Sequence, residues 1–433
     1  MNSLESMQVL PTEGEGRETA MLAAVVGPTT PVWVVEDHLD ELEALADTAG
    51  ADVVGRMTQP RMKPNVATYL GSGKVSELTH EAKNKGANLL IFDEDLTPVQ
   101  VRNLEQKTGL KVIDRSALIL DIFARRARTA EAKVQVELAQ LQYYMPRLTK
   151  MWSHLAGQQG GIGFRGPGET QLEVDRRIVT QRITMLRKKL EKIGQQRETR
   201  RRSRRGTPTA ALVGYTNVGK STLLNALSGT KDAFVENRLF ATLDPKWRQV
   251  GSESGRQFLL IDTVGFIRKL PHHLVASFRS TLEEAQTADV IVHVADLSHP
   301  LFEDQIVQTE KVLKELGLEE KPTLLVFNKI DQVDNPAIVD KARQNHPEAL
   351  FVSAVKGMRI WELRDVLEER LFVSKSDVDL EVTPDQLKLL DQIGGSLELR
   401  NKQWHEGVIQ LTLSGPKPDV DNALRTLGMP VRA

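Results

Sequence analysis

Between Pro31 and Ala127, short apolar runs alternate with longer amphipathic stretches. Val32-Trp33-Val34-Val35, Val53-Val54, Leu89-Leu90-Ile91-Phe92 and Val112-Ile113 read as buried strands. Helices are predicted from His38 to Ala49, Gly73 to Gly86, Thr97 to Thr108 and Ser116 to Ala127, the third with Thr97 as cap and Pro98 in its first turn. Strands alternating with helices imply a small parallel α/β domain over residues 31–127. The polar, acidic stretch before it, residues 1–30, is expected to be a flexible leader.

The spacing then changes. Val134, Leu138, Leu141, Met145 and Leu148 step by four and three, and so do Val179, Ile183, Leu186, Leu190 and Ile193. Such seams pack two helices side by side. Pro146 should kink or end the first helix, and the glycines at 157, 160, 161, 163, 166 and 168 would not tolerate a helix between the two. Residues 128–205 therefore read as an antiparallel helical hairpin with a glycine-rich tip, closed by an arginine-rich hinge from Arg197 to Arg205.

A second, larger α/β pattern covers residues 206–373. Its strands are expected at Ala210–Val213, Phe258–Ile261, Val290–Ala295, Leu324–Phe327 and Leu350–Val352, its helices at Lys220–Leu227, Leu274–Thr287, Phe302–Leu316 and Ile360–Leu371. Residues 374–433 read as a small α+β domain, with helices at Pro384–Ile393 and near Val420–Leu427, and strands at Leu397–Leu399 and Val408–Leu413.

Composition changes this picture in one respect. The net charge of -1 over 433 residues conceals an uneven distribution. Residues 1–114 hold 10 Lys+Arg against 18 Asp+Glu, whereas residues 115–205 hold 21 against 8, a balance of +13. A basic middle between acidic flanks suits a polyanionic partner, although a solvated helical face would look the same. Cysteine is absent, which excludes disulfides and thiolate chemistry and suits a reducing compartment. No apolar run approaches the ~20 residues that span a bilayer. Without a signal-peptide pattern at the N-terminus, a soluble cytoplasmic protein is expected.

The candidate chemistry centres on Gly214-Tyr215-Thr216-Asn217-Val218-Gly219-Lys220-Ser221, which matches G-x-x-x-x-G-K-[ST] after a buried strand and at the start of a helix. The glycines let backbone N–H groups converge on phosphate oxygens at the helix N-terminus. Lys220 would reach the β- and γ-phosphates, and Ser221, followed by Thr222, would offer a hydroxyl to Mg²⁺.

Further motifs follow in order. Asp262-Thr263-Val264-Gly265 ends a buried strand, placing a carboxylate to hold Mg²⁺ through water and the Gly265 N–H toward the γ-phosphate. Thr242, in Phe240-Ala241-Thr242, lies where a loop could close a hydroxyl onto the metal. Asn328-Lys329-Ile330-Asp331 offers a carboxylate that can accept from guanine N1–H and N2–H₂, a donor pair adenine lacks. Ser353-Ala354-Val355 would present backbone N–H groups to the base oxygen. Together these predict a P-loop GTPase domain with Lys220, Thr242, Gly265 and Asn217 as catalytic candidates and Ser221, Thr242 and Asp262 as metal ligands. Phe266 stands where Ras-like GTPases use a Gln to orient water, so intrinsic hydrolysis should be slow or use another group. Asn217 occupies a position that in some GTPases helps bind K⁺; the alternative is a loop Asn bonding its own backbone.

Beyond the nucleotide motifs, Tyr69 to Leu78, Val112-Ile113-Asp114-Arg115, Ile119 to Ala127, Gln135 to Leu141, Gly160-Gly161-Ile162-Gly163, Gly166-Pro167-Gly168-Glu169, Asp175-Arg176-Arg177 and Asp262 to Leu270 resemble the HflX GTPases of the Obg–HflX superfamily. The resemblance covers roughly residues 31–372; Val355 departs from the Lys usual in general GTPases at that place. It implies a ribosome-associated GTPase that binds the large subunit near its peptidyl transferase region and splits stalled or idle ribosomes, notably under heat stress. Arg165, Arg176 and Arg177 then become candidate rRNA contacts. The resemblance also allows ATP-dependent RNA remodelling by the N-terminal domain. A competing class is a GTP-dependent switch docking on a protease or membrane complex, with peripheral rather than inserted membrane association; a monomer is expected.

Other motifs carry less. Gly161-Ile162-Gly163-Phe164-Arg165-Gly166 matches G-x-G-x-x-G but follows a helix rather than a strand, so a dinucleotide site is rejected. Gly71-Ser72-Gly73-Lys74 lacks the full phosphate-loop spacing and reads as a helix start; His272 and His273 read as packing or surface residues.

Overall fold

The computed structural model describes residues 16–147, 171–202, 207–229, 239–251, 257–269, 284–372, 375–393, 397–405 and 408–429. The N-terminal domain is a four-stranded parallel sheet in the order β2-β1-β3-β4, built from β1 (Glu18–Val26), β2 (Ala51–Pro60), β3 (Leu89–Phe92) and β4 (Lys111–Asp114). Helices α1 (Val32–Ala49) and α4 (Arg115–Arg126) cover one face; α2 (Ser72–Asn84) and α3 (Pro98–Thr108) cover the other. The period of two is explicit in the strands. Ala20, Leu22, Leu89 and Ile91 join Leu39, Leu42 and Ile119, while Met21, Ala23, Leu90 and Phe92 join Val75, Leu78 and Leu104. Thr97 caps α3 through a capping box with Gln100, an arrangement worth about 1 kcal/mol.

Two expectations are corrected here. Residues 18–26, read as part of a leader, form β1, which lies inside the sheet between β2 and β3. Val32–Val35, read as a strand, is the first turn of α1. Val35, Leu39, Leu42, Leu45, Ala46 and Ala49 are the buried positions of α1, a helical spacing, while Val32 and Trp33 face solvent. A four-residue apolar run is too short to separate strand from helix by itself.

The hairpin consists of α5 (Ala130–Tyr144) and α6 (Gln171–Arg202). Val134, Leu138 and Leu141 pack on Val179, Ile183 and Leu186, with Leu190 half-buried beside them. A short 3₁₀ turn, Met145–Arg147, follows α5 at Pro146. The tip, including Arg165 and the 161–166 glycine motif, lies outside the described residues, as do residues 203–206 of the hinge. Asp114 ties the hairpin base to the domain: it accepts from Tyr143 Oη at 2.7 Å, Arg147 Nη2 at 3.2 Å and Leu96 N at 3.1 Å, besides capping α4 through Ala117 N.

The GTPase domain is a six-stranded sheet in the order β10-β9-β8-β5-β7-β6. Its strands are β5 (Thr209–Gly214), β6 (Lys246–Gly251), β7 (Gln257–Asp262), β8 (Val290–Asp296), β9 (Thr323–Asn328) and β10 (Leu350–Phe351), with only β6 antiparallel to its neighbour. Its helices are α7 (Lys220–Ser228), α8 (Phe302–Glu315), α9 (Pro336–Asn345) and α10 (Ile360–Leu371). β6 and α9 were not among the expected elements. The segment 270–283, in which a helix was expected, is outside the described residues, as are His272 and His273. The C-terminal domain pairs β11 (Lys375–Val382), β13 (Val408–Pro416) and β12 (Glu398–His405) antiparallel in the order β11-β13-β12, with α11 (Pro384–Ile393) and α12 (Lys417–Thr426) packed on its apolar face.

Candidate functional site

Four ends of GTPase-domain elements converge on one cleft. The loop after β5 begins at Gly214, whose φ of 147° and 2.1 Å approach of a hypothetical Cβ to the Val294 carbonyl admit only glycine. Asn217 takes φ 60°, a left-handed conformation Asn tolerates, and is exposed at the loop tip. Gly219, at φ 95°, precedes α7, whose first residues Lys220, Ser221 and Thr222 line the cleft.

Lys220 is buried and donates to the Gly214 and Tyr215 carbonyls at 3.0 and 2.6 Å. Burial pushes its pKa down to about 8, against the opposing pull of the Asp262 charge. An incoming phosphate would supply the anion that favours the ammonium form.

The three residues read as metal ligands are brought together. Ser221 Oγ donates to Asp262 Oδ2 at 2.6 Å, Thr242 Oγ1 donates to the same oxygen at 3.0 Å, and the two hydroxyls are 3.0 Å apart. The antiparallel register pairs Lys246 with Asp262, so β6 carries the preceding loop, and Thr242 with it, to the end of β7. Asp262 is fully buried, and its Oδ1 has no hydrogen-bond partner among the described residues. Burial raises the Asp262 carboxyl, with Lys220, Ser221 and Thr242 opposing. An orphaned carboxylate oxygen beside two hydroxyls is a hard, all-oxygen donor set, the chemistry Mg²⁺ prefers.

A solvent-open cleft of about 480 Å³ is lined by Thr216, Asn217, Gly219, Lys220, Ser221, Thr222, Phe240, Ala241, Thr242, Asp262, Thr263 and Gly265. Thr263 Oγ1 is spent on the Leu212 carbonyl at 2.7 Å, and Val264 is buried beneath the segment. Gly265 lies against the phosphate loop: a Cβ there would stand 2.8 Å from Thr216 Cα and 3.0 Å from Lys220 Nζ. Phe266, 2% exposed, exchanges backbone bonds with the loop, Phe266 N to Gly214 O at 3.0 Å and Thr216 N to Phe266 O at 2.6 Å.

The base-side candidates flank the cleft without lining it. Buried Asn328 braces two loops, donating to the Val218 carbonyl at 2.8 Å and accepting from Ala354 N at 3.0 Å. Lys329 pairs with Asp296 at 2.6 Å, and Asp331 is exposed on the next turn. Ser353 is buried, its Oγ accepting from Lys356 N at 3.1 Å, while Val355 is 73% exposed. The brace formed by Asn328 was missed from the sequence, where the residue was visible only as part of the base motif. Gly219→Ala would place a Cβ 2.3 Å from Asn328 Nδ2 at φ 95°. It is expected to cost about 2 kcal/mol of stability and to weaken nucleotide binding, read by chemical unfolding and nucleotide titration.

A phosphate loop at the end of a central parallel strand, a metal-suited oxygen cluster and a guanine-type base motif define a P-loop GTPase. Family models described as "GTP-binding GTPase N-terminal", "GTP-binding GTPase Middle Region" and "50S ribosome-binding GTPase" match residues 36–124, 126–204 and 209–329. The chain belongs to the HflX GTPase family. It is 42% identical over 388 residues to GTPase HflX of Escherichia coli (strain K12), covering 89% of this chain and 91% of that one. It is 50% identical over 314 residues to GTPase HflX of Flavobacterium psychrophilum, covering 72% and 76%. Among solved structures, a GTP-binding protein from the hyperthermophilic archaeon Sulfolobus solfataricus in complex with GDP is 27% identical, with a TM-score of 0.44, covering 82% of this chain and 98% of that one.

Proposed function

We propose that this GTPase hydrolyses GTP with Mg²⁺ held by Ser221, Thr242 and Asp262, and uses the cycle to bind the large ribosomal subunit and separate stalled or idle ribosomes. Lys220 and the loop N–H groups bind the phosphates, Gly265 N–H meets the γ-phosphate, and Asp331 selects guanine. The metal would neutralise charge on the β- and γ-phosphates. Thr242, whose hydroxyl lies 3.0 Å from Asp262 Oδ2, would help hold the metal while its loop is in this closed position.

The observation that carries the ribosomal reading is the hairpin. The +13 segment contains α6, which buries one stripe against α5 and exposes Arg176, Arg177, Arg187, Lys188 and Lys189. Such a helix can follow an RNA backbone and read it by shape and phosphate position. Co-sedimentation through sucrose gradients tests this: association with large subunits should be stronger with a GTP analogue than with GDP. Absence from the large-subunit peak in both states would defeat the ribosomal reading. At the carboxyl end of the N-terminal sheet the cations Arg115, Arg147, Arg268 and Lys269 are already paired with Asp93, Glu94 and Asp114, which gives an ATP site there no support. At the start of α2, Gly71 N–H is already bonded to Gln59 Oε1 at 2.8 Å and Lys74 to Glu77 at 2.7 Å.

Ser221 and Thr242 should be separable by mutation. Ser221→Ala is expected to weaken GDP and GTP alike. Thr242→Ala should act chiefly on the triphosphate, because its loop closes on the metal and γ-phosphate. Nucleotide titrations at saturating and limiting Mg²⁺ distinguish them; equal losses of GDP affinity would contradict the assignment.

A further inference from the structure

Helix α5 buries two stripes. Val134, Leu138 and Leu141 face α6, whereas Ala132, Val136, Ala139 and Tyr143, stepping by four, three and four, join the core that holds Leu120 and Phe123 of α4. Arg182 Nε, 2.6 Å from Glu137 Oε1, fastens α6 to α5 at the edge of their seam. The basic face of α6 is therefore carried on α5, and the angle of α5 against the N-terminal domain aims it. Three of the four domain-facing side chains on α5 are Ala or Val, and apolar burial is non-directional, so this stripe fixes the angle weakly.

A polar lock stands at the end of the stripe. Asp114, 0% exposed at the end of β4, accepts from Leu96 N at 3.1 Å, Ala117 N at 2.9 Å, Tyr143 Oη at 2.7 Å and Arg147 Nη2 at 3.2 Å. Arg147, in the turn after α5, also donates to the Leu96 carbonyl at 2.7 Å and the Tyr143 carbonyl at 3.0 Å. Its guanidinium lies 3.6 Å from the centroid of the Tyr143 ring. Burial pushes the Asp114 carboxyl up, with Arg147, the Ala117 N–H and Tyr143 opposing. A buried ion pair adds little net stability over apolar packing of the same volume, and its directional bonds serve a single arrangement. The arrangement served here is that of the end of α5 against β4 and the loop before α3.

Resting on the ribosomal reading above, we infer that Asp114, Tyr143 and Arg147 are positioning residues that hold the hairpin at one angle to the N-terminal domain, so that α6 meets RNA already aimed. A preorganised arm spares the complex the cost of ordering it on binding. Loosening the lock takes no cation from α6, so the number of phosphates neutralised is unchanged. Large-subunit affinity then falls by one factor at every salt concentration, whereas loss of charge from α6 lowers the salt slope itself.

The test uses the full chain with Asp114→Asn, Tyr143→Phe and Arg147→Lys, none of which removes a cation. Asn can still cap α4, Phe keeps the ring and loses only Oη, and Lys keeps the charge without the fork. The chain has no cysteine, so Ser76→Cys on α2 and Gln181→Cys on α6, both exposed, place spin labels on domain and arm alone. The distance distribution between the labels should be narrow with the lock intact and broader in each variant. Asp114→Asn should weaken large-subunit binding about tenfold and the other two about threefold, at an unchanged salt slope. The subunit concentration that half-saturates GTPase stimulation should rise in step, while the maximal stimulated rate, basal hydrolysis and GDP affinity stay as they were. An unbroadened distribution, an unchanged affinity or a reduced slope would overturn the inference. An unaltered protein that does not bind large subunits would instead overturn the ribosomal reading, and unbroadened distances would still overturn the lock.

Discussion

The Asp331→Asn protein is expected to bind GTP roughly a thousandfold more weakly than the unaltered chain and to prefer xanthosine triphosphate. A carboxylate accepts from both guanine donors, and a hydrogen bond to a charged group contributes about 1.5–3 kcal/mol. Two such bonds together place the loss near three orders of magnitude. In xanthine a carbonyl replaces the exocyclic amine, so the amide can donate where the carboxylate could only accept. The side chain is exposed on a short turn fixed by other groups: Lys329 pairs with Asp296, and Ile330 N bonds the Val352 carbonyl at 3.3 Å. The substitution should therefore leave the fold intact and act on the base alone. Competition titrations with GTP, XTP and ATP read the outcome. A variant that still prefers GTP over XTP would remove Asp331 from the base site.

Sequence reasoning was strongest where a local rule was enough. Leu89–Phe92 is a strand buried on both faces, and its continuous apolar run said so. Thr97, Pro98 and Gln100 announced the start of α3 because cap chemistry is local. The phosphate loop was legible because its glycines answer to backbone geometry: at Gly214 and Gly219 the structure leaves no room for a side chain. β1 was not legible. Its run of Ala, Met and Leu has weak strand preference, and it owes its place to pairing with β2 and β3, which are distant in sequence. β6 alternates too irregularly to stand out and is held by pairing with β7. The contacts of Arg115 with Glu41, Asp93 and Arg268 join positions separated by up to 153 residues. Asp114-Arg115 is legible as a motif, but its partners are distant in sequence: Glu41 and Asp93 in the same domain, Tyr143 and Arg147 in the hairpin and Arg268 in the GTPase domain.

Ribosome attachment should depend on salt in a way set by α6. Residues 115–205 carry +13, whereas residues 206–433 carry -6 and are repelled by RNA at long range. If six phosphates are neutralised, log K should fall by roughly 4–5 per decade of salt, between the single-strand and duplex values. Arg176, Arg177, Lys188 and Lys189 are exposed on α6, and its apolar seam with α5 does not use them. Replacing all four with Gln should reduce the slope by about 3 and weaken large-subunit binding about a thousandfold at 0.1 M salt, provided each meets one phosphate. Replacing Arg176 and Arg177 with Lys keeps the charge and should leave the slope near that of the unaltered chain. Buried Phe266 cannot orient water, so on the ribosomal reading it is docking that completes the catalytic arrangement. Ribosome-stimulated hydrolysis should therefore disappear at the salt concentration where the complex dissociates, at lower salt for the Gln variant than for the unaltered protein. Filter binding and GTPase rates with and without large subunits, each at several salt concentrations, provide the comparison. A Gln variant with an unchanged slope and undiminished stimulation would place the ribosomal contact elsewhere on the molecule.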